Sequence, residues 1–210
     1  MKLIVITPTN DVPDETSLIT KMFESGLMTL HVRKPKKSTR QMKDYISEIP
    51  SIFHNRIVLH YHHDLVYKFG LKGIHLSEVH LSKHWKYWFV RLRLKMRFAD
   101  TSKSRSYSRL QQVYNKEERD YSYYLLGTMF NRMTGDLYSG YYEEGVKAAN
   151  QKSGKNLVAR GGCILNSVQR AHQYGFYGIA YNNFLWGDSE PFFQFLKVLQ
   201  EFKKHNIALE

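Results

Sequence analysis

Histidines crowd one stretch of this chain. His60, His62, His63, His75 and His80 fall close together, with Asp64 and Glu78 among them. Imidazole moves protons near neutral pH, since its ordinary pKa is ~6.5, and it is also the commonest transition-metal ligand. The order His60-x-His62-His63 matches no familiar ligand spacing on a helix or a strand. Proton transfer is therefore the role assigned here, no metal ligand is named, and a histidine-held transition metal stays as an alternative. Asp64 is read as the N-cap of a helix. His75, inside a short apolar run, is read as a strand residue facing the interior.

A second set of residues suits an anion. Arg33-Lys34 ends one apolar run, Arg160-Gly161-Gly162 another, and Asn182-Asn183 a third, with Arg132 and Thr134 in a loop of their own. Arginine and lysine bind phosphate by charge-assisted hydrogen bonds, and glycine lets the backbone N–H groups come close. The bland alternatives are a solvated basic run through Lys37 and a Gly-Gly pair that only turns the chain; both stay open. Cys163 has no base beside it and reads as a small buried residue, not a nucleophile.

These residues need elements to position them. Short apolar runs at 3–7, 27–32, 57–61, 73–77, 121–126, 157–160 and 178–181 read as strands. Helical spacing of apolar residues marks 15–25, 42–53 (interrupted near Pro50), 106–116, 141–151, 166–174 and 191–205. A further helix is placed over 84–97. Strand, crossover helix and next strand follow one another between residues 57 and 77, which is the unit of a parallel sheet. About eight such units predict an α/β fold of the (β/α)8 TIM-barrel type, a single domain over residues 1–210. An open dinucleotide-binding sheet is the runner-up, but no glycine fingerprint follows the first strand. In a barrel, both groups of candidate residues stand at strand exits, where barrels carry their chemistry.

The totals agree. A hydrophobic fraction of 42% is enough for a core, and a net charge of +12 favours an acidic partner. The basic residues are dispersed and form no nucleic-acid-binding motif, so nucleic acid is not expected. No membrane is expected either, as no apolar run approaches spanning length. The single cysteine points to a reducing compartment, and the short apolar start reads as a strand and not a signal peptide. A cytoplasmic location is expected.

Several segments resemble one family. Phe69-Gly70-Leu71-Lys72-Gly73-Ile74-His75-Leu76 resembles the "lGadGvHLg" segment of the thiamine phosphate synthase/TenI family. Leu30-His31-Val32-Arg33-Lys34 is similar to its "vQlReK", residues 123–134 (YYLLGTMFNRMT) to "DYigvGpiFpTxT", and Ala159-Arg160-Gly161-Gly162 to "AiGGi". Ser106 suits the serine of its "GvS". The resemblance implies a (β/α)8 barrel in thiamine biosynthesis. The synthase joins a pyrimidine methyl pyrophosphate to a thiazole phosphate with magnesium. TenI-type relatives bind the thiazole phosphate, and some isomerise it.

Carried over position by position, the resemblance implies that Arg33 and Lys34 meet the pyrimidine pyrophosphate. Ser106, Arg132 and Thr134 line the substrate side, and Gly161, Gly162, Asn182 and Asn183 surround the phosphate. The departures fall on the metal and proton-transfer positions. His60-Tyr61 replaces Asn-Asp after the third strand, and His80 replaces the second magnesium aspartate. His31 replaces the pyrimidine-binding glutamine, Pro35 the motif lysine, Thr128 the tautomerase histidine and Gly135 the lysine of the phosphate loop. Magnesium is thus a cofactor by resemblance only, with both expected aspartates absent. His31, His60 and His80 are the proton-transfer candidates. The expected function is TenI-like binding or isomerisation of thiazole phosphate. The alternatives are an active synthase and a non-catalytic phosphate- or metal-binding barrel. A homo-oligomer is expected, as in relatives.

Overall fold

The computed structural model describes residues 1–77, 101–115 and 121–210. Eight parallel strands close into a barrel in chain order. They are β1 (Lys2–Ile6), β2 (Leu30–Val32), β3 (Ile57–Leu59), β4 (Gly73–Leu76), β5 (Ser102–Tyr107), β6 (Tyr123–Leu126), β7 (Leu157–Arg160) and β8 (Gly178–Tyr181). The described helices are α1 (Glu15–Glu24), α2 (Thr39–Ser47), α3 (Leu65–Phe69), α4 (Glu143–Lys152), α5 (Ser167–Gln173), α6 (Asn183–Trp186) and α7 (Pro191–Lys204). The expected (β/α)8 barrel is therefore present. The helix read over 84–97 lies outside the described residues, as do Glu78 and His80.

Alternation along each strand divides the side chains between two environments. In β1, Leu3 and Val5 pack outward against Ile19, Met22 and Phe23 of α1, while Ile4 and Ile6 turn inward. The inward set continues with Tyr123 and Leu125 of β6, Val158 of β7 and Ala180 of β8. The other half of the interior is polar. His31 of β2, His75 of β4 and Ser104 of β5 are fully or almost fully buried, and His60 follows directly on β3. A barrel interior is a packed core, so a polar half is stable only where its groups find partners.

Local signals account for the helices. Ser38 caps α2 by accepting from the Gln41 backbone N–H at 3.3 Å, and the Gln41 side chain accepts from the Ser38 N–H at 2.8 Å. Proline opens α7, which buries Phe195, Val198 and Phe202 and packs against α1, α5 and α6. Asp64 stands at the N-cap position of α3, but its side chain makes no capping bond; that expectation is corrected.

The strand missing from the sequence reading is β5. Residues 106–116 were expected to be helical; instead 102–107 form a strand and Leu110–Tyr114 a single 3₁₀ stretch. The segment SKSRSY has no apolar run to announce it. Its register fixes it, with His75 beside Ser104 and Ser106 beside Leu125. It is polar because the half-interior it lines is polar.

Candidate functional site

A cavity of about 760 Å³ opens at the C-terminal ends of the strands. Its walls come from the segments that leave them: Arg33 after β2, His60 after β3, Thr128 and Arg132 after β6, Arg160-Gly161-Gly162 at the end of β7, and Asn182-Asn183 after β8. Parallel strands bring all these exits to one end, so residues far apart in sequence share one wall. Asp188 and Gln194 complete the rim, where Gln194 donates to the Asp188 carboxylate at 2.8 Å.

The cavity is cationic. Arg160 is largely buried, and one guanidinium N–H reaches the Gly127 carbonyl at 3.3 Å. Burial, and then the nearby Arg33 guanidinium, lower its pKa from the usual arginine value. A guanidinium whose charge is disfavoured by burial and by a second cation is relieved by an anion beside it. Among the described residues, Arg33, Arg132 and Arg160 form no ion pair.

Glycine is required where the loops meet. Gly162 has φ 70°, and a Cβ there would lie 1.7 Å from the Phe130 carbonyl oxygen. That closeness lets the loop after β6 lie on the end of β7, where Met129 N–H donates to Arg160 O at 2.9 Å and Phe130 N–H to Gly161 O at 3.0 Å. The Gly-Gly pair therefore sets the loop that carries Thr128 and Arg132.

Beneath the cavity lies an imidazole cluster. One ring nitrogen of His31 is 3.0 Å from a ring nitrogen of His60, and the other is 2.6 Å from the Tyr123 hydroxyl. His75 stacks on His60 with ring centres 4.2 Å apart, and its two nitrogens face Ser104 and Ser106, each at 2.9 Å. Burial, reinforced by Lys72, Arg160 and Lys2, pushes the His31 pKa down to about 3. Burial, followed by the neighbouring His75 and His31, holds His60 well below its usual value. Both rings are neutral at physiological pH. Tyr123 keeps its proton because burial raises its pKa. His60 thus stands at the cavity wall as a neutral imidazole, wired through His31 to a protonated phenol.

The remaining predicted residues have other tasks, at the cavity wall or away from it. Lys34 is 1% exposed and bonds the Asn10 carbonyl at 2.8 Å and Glu15 at 2.6 Å, so it pins the loop after β1 and does not line the cavity. Thr134 is exposed and accepts from the Asp136 N–H at 3.2 Å within its own turn. Ser106 faces His75, beside the cluster. The Asn182 amide donates to Ile6 O and Thr7 O at 2.8 and 2.9 Å, stitching β8 to β1. Cys163 is buried, with its thiol pushed up to about 12 by that burial, and is unreactive. Sequence reasoning grouped Arg160 with the anion candidates but gave it no role of its own, though a basic residue just before Gly-Gly at a strand exit was the available signal. Tyr123 and Ser104 went unassigned; alternation in β6 could have turned Tyr123 inward, but nothing marked β5.

No protein-family model matches the chain, and no curated protein sequence does. Solved structures do. A thiamine phosphate pyrophosphorylase from Bacteroides thetaiotaomicron is 27% identical over 97% of this chain and 98% of that one, with a TM-score of 0.78. One from Pyrococcus furiosus is 16% identical with a TM-score of 0.76, covering 97% and 96% of the two chains. A geranylgeranylglyceryl phosphate synthase from Thermoplasma acidophilum, in complex with sn-glycerol-1-phosphate, has a TM-score of 0.64 at 11% identity, covering 97% and 93%. The chain is a TIM barrel related to phosphate-binding enzymes, thiamine phosphate pyrophosphorylase among them.

The donor set does not fit the magnesium that the resemblance implies. Magnesium takes hard oxygen ligands in an octahedron. Here His60-Tyr61 follows β3, and among the described residues Asp188 is the single carboxylate lining the cavity. What the arrangement can do without such a metal is hold an anion between arginines and exchange a proton at His60.

Proposed function

We propose that the barrel binds a thiazole phosphate at its C-terminal mouth, in the manner of TenI-type proteins. Its phosphate lies among Arg33, Arg132, Arg160 and the Gly161-Gly162 turn, with the Asn183 end of the β8 exit beside it. The observation that carries this reading is the group of arginines around a mouth cavity, without ion-pair partners among the described residues, in a chain 27% identical to a thiamine phosphate pyrophosphorylase. His60, a neutral imidazole, is the group positioned to relay a proton to or from the bound ring, taking one at one nitrogen as it gives one at the other, with His31 and Tyr123 behind it. Thr128, in the place of the family's tautomerase histidine, is a poor acid or base at neutral pH. Isomerisation through His60 would therefore follow a different proton path from that of relatives.

A second reading is an active synthase. The match over nearly the full length of both chains favours it. The charge of the leaving pyrophosphate would then rest on arginines, since the magnesium carboxylates are missing.

One NMR experiment separates the two. The protein is mixed with thiazole phosphate, alone and with the pyrimidine pyrophosphate and excess magnesium. Line broadening or tautomer exchange of the thiazole phosphate without condensation is expected. Thiamine phosphate formed at catalytic rates would establish the synthase reading, and no effect of the protein on either compound would overturn both.

A further inference from the structure

We propose that His31, His60 and His75 form a binding site for one divalent transition-metal ion, of the zinc or cobalt class, at the inner end of the mouth cavity. Each ring offers one nitrogen, and the three nitrogens lie within 4.8 Å of one another. The His31–His60 nitrogens, 3.0 Å apart, are already near the separation of about 3.3 Å that two ~2.0 Å bonds subtend in a tetrahedron. The site goes beyond the thiazole phosphate reading and does not depend on it; a bound metal would close the His60–His31 proton route and leave the arginine phosphate site intact.

Register explains why the three rings meet. His31 pairs with Val58, so His60, two residues on, faces the same interior. Leu59 pairs with Ile74, so one step further sets His60 beside His75. Two of the ligands lie in strands β2 and β4 and His60 directly follows the intervening β3, and such elements keep a constellation more tightly than loops do. The outer partners also suit a metal. Metal-bound histidines usually engage their second nitrogen with an oxygen, as His31 does with Tyr123 and His75 with Ser104 or Ser106.

The chemistry selects the ion class. Imidazole ligands suit zinc, cobalt, nickel and copper, whereas magnesium and calcium want oxygen. Metal at the facing nitrogens displaces the hydrogen bond between His31 and His60. The single ring proton of neutral His31 then sits on the nitrogen facing Tyr123, so binding needs no net proton release. The His75 ring must turn out of its stack on His60, while one of its two serine contacts stays in place. His60 lines the cavity, so the fourth coordination position opens towards it, as in catalytic three-histidine sites.

The test uses full-length protein without an affinity tag, stripped with chelator, and Co²⁺ as the probe in the absence of any thiazole compound. One equivalent per chain, an intense visible absorption of tetrahedral cobalt, and displacement by Zn²⁺ but not by excess Mg²⁺ are expected. H31N and H75N should each weaken cobalt binding at least tenfold. H62N, which loses contacts to Thr39 and the Lys37 carbonyl outside the cluster, should leave it unchanged. If H31N or H75N fails to fold, H60N at the cavity wall replaces it. Absence of a tetrahedral spectrum, or binding that follows His62 and ignores the three buried rings, overturns the site. Loss of thiazole phosphate binding alone has no bearing on this outcome.

Discussion

His31 shows how burial turns a common residue into one with a defined state. Desolvation, with Lys72, Arg160 and Lys2 nearby, lowers its pKa to about 3 from 6.5. Between these values the unfolded chain binds a proton that the folded chain refuses, so the unfolded state gains as pH falls. The contribution of His31 to stability is complete above about pH 6.5 and is lost progressively below it. The slope is at most ~1.4 kcal/mol per pH unit for this one group. Urea unfolding of chelator-treated protein at pH 7 and pH 5 should show the loss, and His31→Asn should reduce the difference; equal stability at both pH values would contradict this. Residue type alone singled out the imidazoles near strand ends, and the proton-transfer role it suggests for them remains a proposal. Their partners could not be read in sequence. His31, His60 and Tyr123 meet only because three strand registers coincide, and Lys34 leaves the mouth because Glu15, on α1, captures it.

At the scale of elements, the loop after β6 and the turn after β7 act as one unit. Gly162→Ala would drive a methyl into the Phe130 carbonyl, at a backbone φ that L-residues disfavour. It should lower the melting temperature and weaken anion binding together, since Arg132 rides on the displaced loop. Gly154→Ala supplies the contrast. It has φ 65° but open space around the new Cβ, so a cost of about 1 kcal/mol and unchanged binding are expected. Thermal melts with calorimetry on both variants check the pair. Legibility in sequence differed among strands for a physical reason. β1, β3, β6 and β8 carry apolar residues on both faces and stand out as runs. β5 lines the polar half of the interior with serines and puts Lys103 and Arg105 on its other face, so it resembles a loop. Its strand identity is imposed by β4 and β6, not by its own propensity.

For the whole molecule, closure of the barrel converts distant sequence positions into one site. A net charge of +12 raises the local concentration of anions, while the partly buried Arg160 and the exposed Arg33 and Arg132 at the mouth decide where one rests. Among the described residues, no helix is long and apolar enough to cross a membrane. The barrel was legible as a period of strands and helices, and short segments at strand exits pointed to a likeness with thiamine phosphate pyrophosphorylase that the solved structures bear out at the level of the fold. The division of its interior into an apolar and a polar half was not legible, because that depends on which strands become neighbours. The account rests most heavily on recognition of phosphate by the arginine mouth. Calorimetric titration with thiazole phosphate and with its unphosphorylated alcohol tests this directly. The phosphate should bind at least ~10-fold tighter, a difference of about 1.4 kcal/mol. Arg160→Ala should remove most of that difference, and Lys204→Ala, the same charge change on the exposed face of α7, should leave it intact. Equal affinity for phosphate and alcohol, or a preference indifferent to Arg160, would contradict the account.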